Sequence, residues 1–298
     1  MLPLYPLAVS RLGDYLERLH RRDPINLVIS TSSAAIKGLR CPKGVAHLSY
    51  IHSPPRYLWS QQDEYSKDSA IRRMGLALTG PILRRWDKAT AANVTAFMAN
   101  SMHTQQLITN AYERTSVVVH PGVRTDYFTP DAAVPRDGSW LVVCALEPYK
   151  RVELAIEAAN AAQHSLTIVG DGSHRRMLET LAGPTVRFAG RIDDAELLRA
   201  YRRASVLLHP QVEDFGIVAA EAQAAGLAVA AFGKGGARET VVDGSSGVLF
   251  HEQTADSVIA AANRAQELCG EPCRQSALRF SREAFRERFL NFAAAWLS

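Results

Sequence analysis

The sequence predicts an α/β protein built on doubly wound parallel sheets, and three observations predict it. Apolar, β-branched runs of about five residues alternate with helical segments of about ten. The runs are apolar throughout rather than at every second position, as expected of strands covered on both faces. The chain, 298 residues and 47% hydrophobic, is long enough for two such domains, each with its own core.

In chain order, residues 7–22 form a helix, "LAVSRLGDYLERLHRR", with no strand ahead of it. Strands follow at "NLVIS" (26–30), "HLSYIH" (47–52), "TAFMAN" (95–100) and "SVVVHPG" (116–122). Helical stretches at 56–91 and 102–113 separate the later ones. A nucleotide-binding α/β domain opens with a strand and a glycine-rich turn. The expectation is therefore that the first domain lacks its opening unit. "TPDAAVPRDGS" (129–139), rich in Pro, Asp and Gly, reads as a linker. Beyond it the pattern is regular, with strands "LVVCAL", "SLTIVG", "TVRFAG", "SVLLHP", "LAVAAF" and "GVLF". The helices between them are "YKRVELAIEAANAA", "SHRRMLETLA", "DDAELLRAYRRA", "FGIVAAEAQAA" and "GARETVV". Asp193 and Asp194 cap one of these, and Gly226 ends another. The chain closes on an amphipathic helix presenting Phe280, Phe285, Phe289 and Trp296. The expected domains are residues 1–134, 135–279 and a C-terminal helix at 280–298.

Charge and cysteine content exclude several classes. At 21% charged residues and a net +4, neither a disordered nor a fibrous protein is indicated. Residues 1–134 carry 16 Lys and Arg against 10 Asp and Glu, and the remainder 18 against 20. An anionic partner on the first half and chance distribution are equally good accounts of that asymmetry. Cys269 and Cys273 have no second Cys/His pair to complete a zinc set, and Cys144 lies in an apolar strand. A reducing, cytoplasmic compartment is the default. Nowhere do 18 apolar residues run together, so a soluble or peripheral protein is expected. No nucleic-acid motif is present.

The chemistry concentrates in "HPQVEDFGIVAAEAQAAG". A strand ends at His209, a loop carries Glu213, and a helix begins near Phe215. Open α/β sheets bind ligands beyond the carboxyl ends of their strands. The first amides of that helix, at Phe215, Gly216 and Ile217, suit a phosphate or a sugar hydroxyl. Glu221 lies about one and a half turns on, roughly 9 Å along the axis, too far to share one atom with Glu213. Two carboxylates so spaced suit two polyhydroxylated rings either side of a diphosphate. Against this stands a solvated Glu213 and a surface Glu221. The alanines around Glu221 weigh against it, because an idle carboxylate there is costly. Lys150, at a strand-to-helix turn, is a natural diphosphate partner. The aliphatic and basic stretch 70–89, with Arg72, Arg73, Arg84, Arg85 and Lys88, suits an anionic bilayer or lipid phosphate, and equally an ordinary solvated helix.

These residues resemble a known family. "EDFGIVAAEAQAAG" followed by "GKGGARETVVDGSSGVLF" is similar to the donor site of the retaining nucleotide-sugar glycosyltransferases of family 4. "YIHSPPRYLW", "AFMANS", "VRTDYFTP", "LTIVGDG" and "VRFAGRIDDAELLRAY" have counterparts there, and the first looks most like the bacterial polysaccharide and O-antigen mannosyltransferase branch. The resemblance implies a GT-B fold of two Rossmann-like domains facing a cleft, the first incomplete here. It implies transfer of a hexose, mannose foremost, from a nucleotide-diphosphate sugar such as GDP-mannose to a glycan or polyprenyl-phosphate-linked acceptor. It further implies that no metal or cofactor is needed. The cytoplasmic default and the bilayer reading of 70–89 together give a cytoplasmic protein with peripheral contact on the inner membrane face as the expected localisation. By resemblance Glu213 meets the donor sugar, Glu221 the ribose, Phe215, Gly216 and Ile217 the sugar or phosphate, Arg191 the base, and His52 donor or acceptor hydroxyls. The pattern departs from the family at Ala145, where an arginine is usual. Arg151, next to Lys150, should point elsewhere. A catalytically impaired remnant that binds donor without turnover is the alternative.

Overall fold

The computed structural model describes residues 4–32, 34–59 and 70–297, with side chains from Arg73 onward in the helix beginning at Ala70. Residues 60–69 of the expected helical stretch 56–91, and the Arg72 side chain, lie outside the described residues. The chain divides into two compact units, residues 1–120 with 286–298, and residues 121–285.

The first unit opens with helix α1 (Tyr5–Arg22), then strands β1 (Leu27–Ser32) and β2 (Ala46–Ile51) and helices α2 (Arg56–Trp59) and α3 (Ala70–Thr90). Strand β3 (Ala96–Ala99), helix α4 (Met102–Tyr112) and strand β4 (Ser116–Val118) complete its sheet. The four described strands pair in parallel in the order β1-β2-β3-β4. Leu48, Phe97, Met98 and Ile108 are essentially inaccessible and fill its core. Beneath α3 an ion pair joins Lys37 Nζ to Asp87 Oδ1 at 3.0 Å, both fully buried. Trp59 Nε1 donates to Asp87 Oδ2 at 2.8 Å, and the Lys37 ammonium lies 4.4 Å from the Tyr112 ring centre.

The second unit contains β5 (Trp140–Val143), α5 (Val152–Ala162), β6 (Leu166–Val169), α6 (Arg175–Leu181), β7 (Val186–Gly190) and α7 (Asp194–Arg203). There follow β8 (Val206–His209), α8 (Ile217–Ala224), β9 (Val229–Phe232), α9 (Ala237–Thr240), β10 (Gly247–Phe250), α10 (Ala255–Ala265) and α11 (Glu271–Leu278). The sheet order is β10-β9-β8-β5-β6-β7, all parallel. The chain winds outward from β5 through β6 and β7, returns to β8, and winds out the other way. The switch point therefore falls between β5 and β8, where an open sheet parts its loops to leave a crevice. Alanines of α5 and α10 pack against one face, and α8 with Tyr201 and Phe128 against the other. Of the two expected caps of α7, Asp193 is the N-cap, accepting from the Glu196 amide at 2.7 Å in a capping box, whereas Asp194 is the first helical residue and accepts from Arg124.

Two expectations shift. The stretch 129–139 is not the boundary, because the chain from Pro121 onward already packs within the second unit. Phe128 is fully buried there, and Arg274 donates to the carbonyl oxygens of Thr125 and Phe128 at 2.6 and 2.9 Å. Arg136 likewise donates to the carbonyls of Ala204 and Gly226, both at 2.6 Å. The C-terminal helix, α12 (Arg282–Ala294), is not a separate piece either. Phe280, just ahead of it, packs on Phe215 in the second unit, whereas Phe289 packs edge-on to Tyr50 in the first.

Candidate active site

Lys150 and Glu213 meet at the switch point. Lys150 ends a 3-10 turn, Pro148–Lys150, in the loop between β5 and α5, and Glu213 stands in the loop after β8. Lys150 Nζ donates to Glu213 Oε1, and Gln211 Nε2 donates to the same oxygen at 3.3 Å. Burial pushes the Glu213 carboxyl up, but the Lys150 ammonium and these donors outweigh it and hold it below the ordinary range. The reverse holds for His209 at the end of β8, where burial pulls the imidazole down to about 4, so it is neutral at pH 7. Gln211 Nε2 donates to His209 Nδ1 at 3.1 Å, while His209 Nε2 and Gln211 Oε1 are buried without a partner. Beside an ion pair at the carboxyl end of the sheet, both atoms are available to a polar guest.

The helix that follows begins later than expected, at Ile217, with Gly216 as its N-cap. Gly216 is in the left-handed region, φ 93°, and lies against His209, where a β-carbon on it would sit 3.6 Å from His209 Nε2. Phe215 turns inward, buried against Val123, Ala220 and Phe280, and so anchors the loop from below. A second wall comes from "GKGG". Gly236 N donates to Glu213 O at 2.8 Å, and a β-carbon on Gly236 would sit 2.3 Å from Phe215 Cα. The sequence carries this signal as two adjacent glycines after β9, but spacing alone does not say which loop they must approach.

Glu221 is the fifth residue of α8, about 6 Å along the axis from its start. Its side chain is mostly covered. Burial pushes its carboxyl up to about 7, Arg124 opposes the rise, Asp194 adds to it, and the Tyr201 hydroxyl opposes it from close by without good hydrogen-bond geometry. Arg124 Nε lies 4.0 Å from Glu221 Oε1, and its guanidinium donates twice to Asp194, at 2.5 and 3.0 Å. Neither Arg124 nor Asp194 was marked as a site residue by the sequence. Arg191 is exposed on the β7–α7 loop, three residues before Asp194. Arg151 does turn away: its Nε donates to Glu153 at 2.6 Å. Ala145 is exposed beyond β5 and offers no charge. His52 belongs to the first unit, exposed at the carboxyl end of β2, with its Nε2 on Thr31 Oγ1 at 2.9 Å and its ring edge-on to Tyr50. Among the described residues, no group of three or more His, Cys, Asp or Glu is placed to hold a metal ion.

The chain is similar to several known proteins. A GDP-mannose-dependent α-(1-6)-phosphatidylinositol monomannoside mannosyltransferase of Mycolicibacterium smegmatis is 31% identical over 217 residues, covering 63% of this chain and 56% of that protein. The chain thus spans about half the length of the curated relatives it matches. Among solved structures, sucrose-phosphate synthase from Thermosynechococcus elongatus superposes with a TM-score of 0.78 at 22% identity, covering 98% of this chain and 78% of that one. The Anabaena protein HepE, solved with UDP-glucose, superposes with a TM-score of 0.71 at 16% identity over 96% and 82% of the two chains. These likenesses match both parallel α/β units to the GT-B glycosyltransferase fold. The family model of the glycosyl transferases group 1 matches residues 131–283, just over half of the chain and the whole of the switch-point site, and the chain belongs to that family.

Proposed function

We propose that the protein is a retaining hexosyltransferase that moves a hexose, mannose foremost, from a nucleoside-diphosphate sugar to a glycan or lipid-linked acceptor. The observation that carries this reading is the Lys150–Glu213 pair at the switch point, beside the amides that open α8. A diphosphate draws Lys150 away from Glu213 and neutralises its own developing charge on the ammonium. The freed carboxylate then accepts hydrogen bonds from the sugar hydroxyls, and the amides of Phe215, Gly216 and Ile217 receive sugar or phosphate oxygens. Glu221 takes the ribose diol and Arg191 faces the base. As the bond from the anomeric carbon to the phosphate oxygen breaks, its electron pair leaves with the phosphate. The acceptor oxygen bonds to the same face and gives its proton to that departing oxygen, so no separate base and no metal are called on. His52 hydrogen-bonds donor or acceptor hydroxyls.

The donor test pairs purified protein with GDP-mannose and with UDP-glucose, since a mannosyltransferase relative is named for the first and a solved neighbour holds the second. Glu213→Ala should lower transfer at least about 10²-fold, the scale of losing one transition-state contact. The affinity for the nucleoside diphosphate, by calorimetry, should stay within a few-fold. Transfer unchanged by EDTA supports the metal-free route. Nucleotide binding with no transfer to any acceptor extract would instead favour the impaired reading, for which the uncharged Ala145 speaks.

A lipid-linked acceptor and peripheral contact at the inner face of the membrane are part of the proposal. Met74, Leu78 and Ile82 are 62–70% exposed at spacings of four on α3, forming one apolar stripe. Beside it, a cavity of about 1060 Å³ is lined by Trp59, Leu76 and Pro81 together with Arg73, Arg84, Arg85 and Lys88. Among the described residues no helix is long and apolar enough to cross a membrane. Serine at positions 74, 78 and 82 together should abolish sedimentation with phosphatidylglycerol vesicles and leave binding to phosphatidylcholine, weak at the outset, unchanged.

A further inference from the structure

The geometry points to Arg124 as a positioning residue for the nucleotide, acting through Glu221 and itself held in place by Asp194. This rests on the reading of Glu221 as the ribose carboxylate. To accept two hydroxyl hydrogen bonds a carboxyl must be ionised, since the protonated form gives up part of its acceptor capacity. Glu221 is poorly placed for that. Its helix buries Ala219, Ala220, Ala222 and Ala224 around it, and only about an eighth of its side chain is exposed. Three titratable groups face it. Arg124 approaches from the segment before Tyr127, Asp194 from the first turn of α7, and Tyr201 from further along α7. The charged residues of α11 and its end turn elsewhere, Glu271 accepting from Gln275 Nε2, Arg274 donating to the carbonyls of Thr125, Phe128 and Ala224, and Arg279 to Glu239 O. The positive charge favouring ionised Glu221 is thus that of Arg124.

Arg124 is not loose. Its guanidinium is forked on both Asp194 oxygens and backed by the Tyr127 and Phe128 rings, 5.3 and 4.9 Å from their centres. Phe128 is fully buried, so this backing is rigid. Asp194 therefore does two opposed things: it aims Arg124, and it draws off part of the field that Glu221 needs. In the free protein Glu221 titrates near neutrality, at about 7. Nucleotide affinity should fall about tenfold for each pH unit below that midpoint, because only the ionised form binds. The nearby groups at the switch point stay out of this window, His209 at about 4 and Glu213 below the ordinary carboxylate range.

The experiment is calorimetric binding of GDP and of UDP between pH 6 and 9. Glu221→Gln serves as the reference, which also subtracts the nucleotide's own phosphate titration. Wild type should show a midpoint near 7 that Glu221→Gln lacks. Arg124→Gln should move the midpoint up by about a unit, losing up to about tenfold in affinity at pH 7 and regaining it at pH 9. Asp194→Asn keeps an acceptor for Arg124 while removing the competing charge. It should move the midpoint down and bind more tightly than wild type at pH 6. A loss in Arg124→Gln of the same factor at every pH would mean that Arg124 touches the ligand or merely holds the fold, and overturns the inference. So does a shift of Asp194→Asn in the same direction as Arg124→Gln. If neither nucleotide binds wild type at any pH, the donor-site reading itself fails and takes this inference with it.

Discussion

Lys150 and Glu213 are each other's solvent in the absence of donor, and that mutual dependence makes their energetics testable. Both side chains are largely covered, 11% and 20% exposed, so a lone carboxylate left behind by Lys150→Met faces the full burial cost. In wild type the Glu213 pKa is depressed on folding. Its stabilising contribution is present above the ordinary carboxylate range and is lost as pH falls through the folded value. In Lys150→Met burial dominates, the folded pKa rises, and the sign reverses: the variant gains relative stability as pH falls. The gap between the two proteins in urea unfolding should thus be about 3 kcal/mol at pH 7 and shrink toward pH 4. A gap independent of pH would mean that Lys150 contributes packing rather than charge. Lys150, Glu213 and Glu221 were legible in the sequence because each lies within a few residues of a strand end or helix start, so local pattern places it. Arg124 and Asp194 were not, since they are 70 residues apart and their meeting depends on how α7 docks. His209 and Gln211 sat in plain view beside Glu213, but a polar residue at a strand end carries no sign of whether its atoms find partners.

The elements divide into those with a local cause and those without. All ten described strands lie where the apolar runs predicted them, because helices crossing over between parallel strands cover the sheet faces and favour near-continuous apolar runs. The helices α10 and α11 were not anticipated: their Ala-rich and mixed sequences carry no strand beyond them to complete the alternation. The glycine loops show how two different constraints act on one residue type. Gly216 has space for a β-carbon, whose nearest neighbours would be His209 Nε2 at 3.6 Å and Thr240 Oγ1 at 3.7 Å, but its φ of 93° disfavours one. Gly236 has an ordinary φ of −66° and no space at all. Gly216→Ala should therefore cost about 1–2 kcal/mol, the usual price of a left-handed non-glycine residue, with nucleotide binding retained. Gly236→Ala must move the Glu213–Phe215 backbone, so its nucleotide affinity should collapse even in the fraction that folds. Calorimetry on the two variants at matched folded concentration separates these outcomes, and equal affinities would show that the "GKGG" wall does not shape the site.

At the scale of the whole molecule, the two compact units are stabilised by different means. The second draws on two large apolar clusters either side of a six-stranded sheet, whereas the first, with a four-stranded described sheet, encloses the charged pair Lys37–Asp87 in its interior. Burial pulls the Lys37 ammonium down, and the Asp87 charge and its hydrogen bond pull the other way. A pair so deep gives little net stability over an apolar pair, yet breaking it strands a charge. Lys37→Met should cost the first unit about 3–5 kcal/mol. Hydrogen exchange locates the effect: amides of β2 and β3 should lose protection, and those of β5 and β8 should keep theirs. Adding Asp87→Leu removes the stranded charge and should restore much of the loss. Recovery stays incomplete because Trp59 Nε1 then has lost its acceptor at 2.8 Å. If exchange instead quickens equally in both sheets, the units unfold as one, and the division at His120 is a feature of packing without energetic meaning.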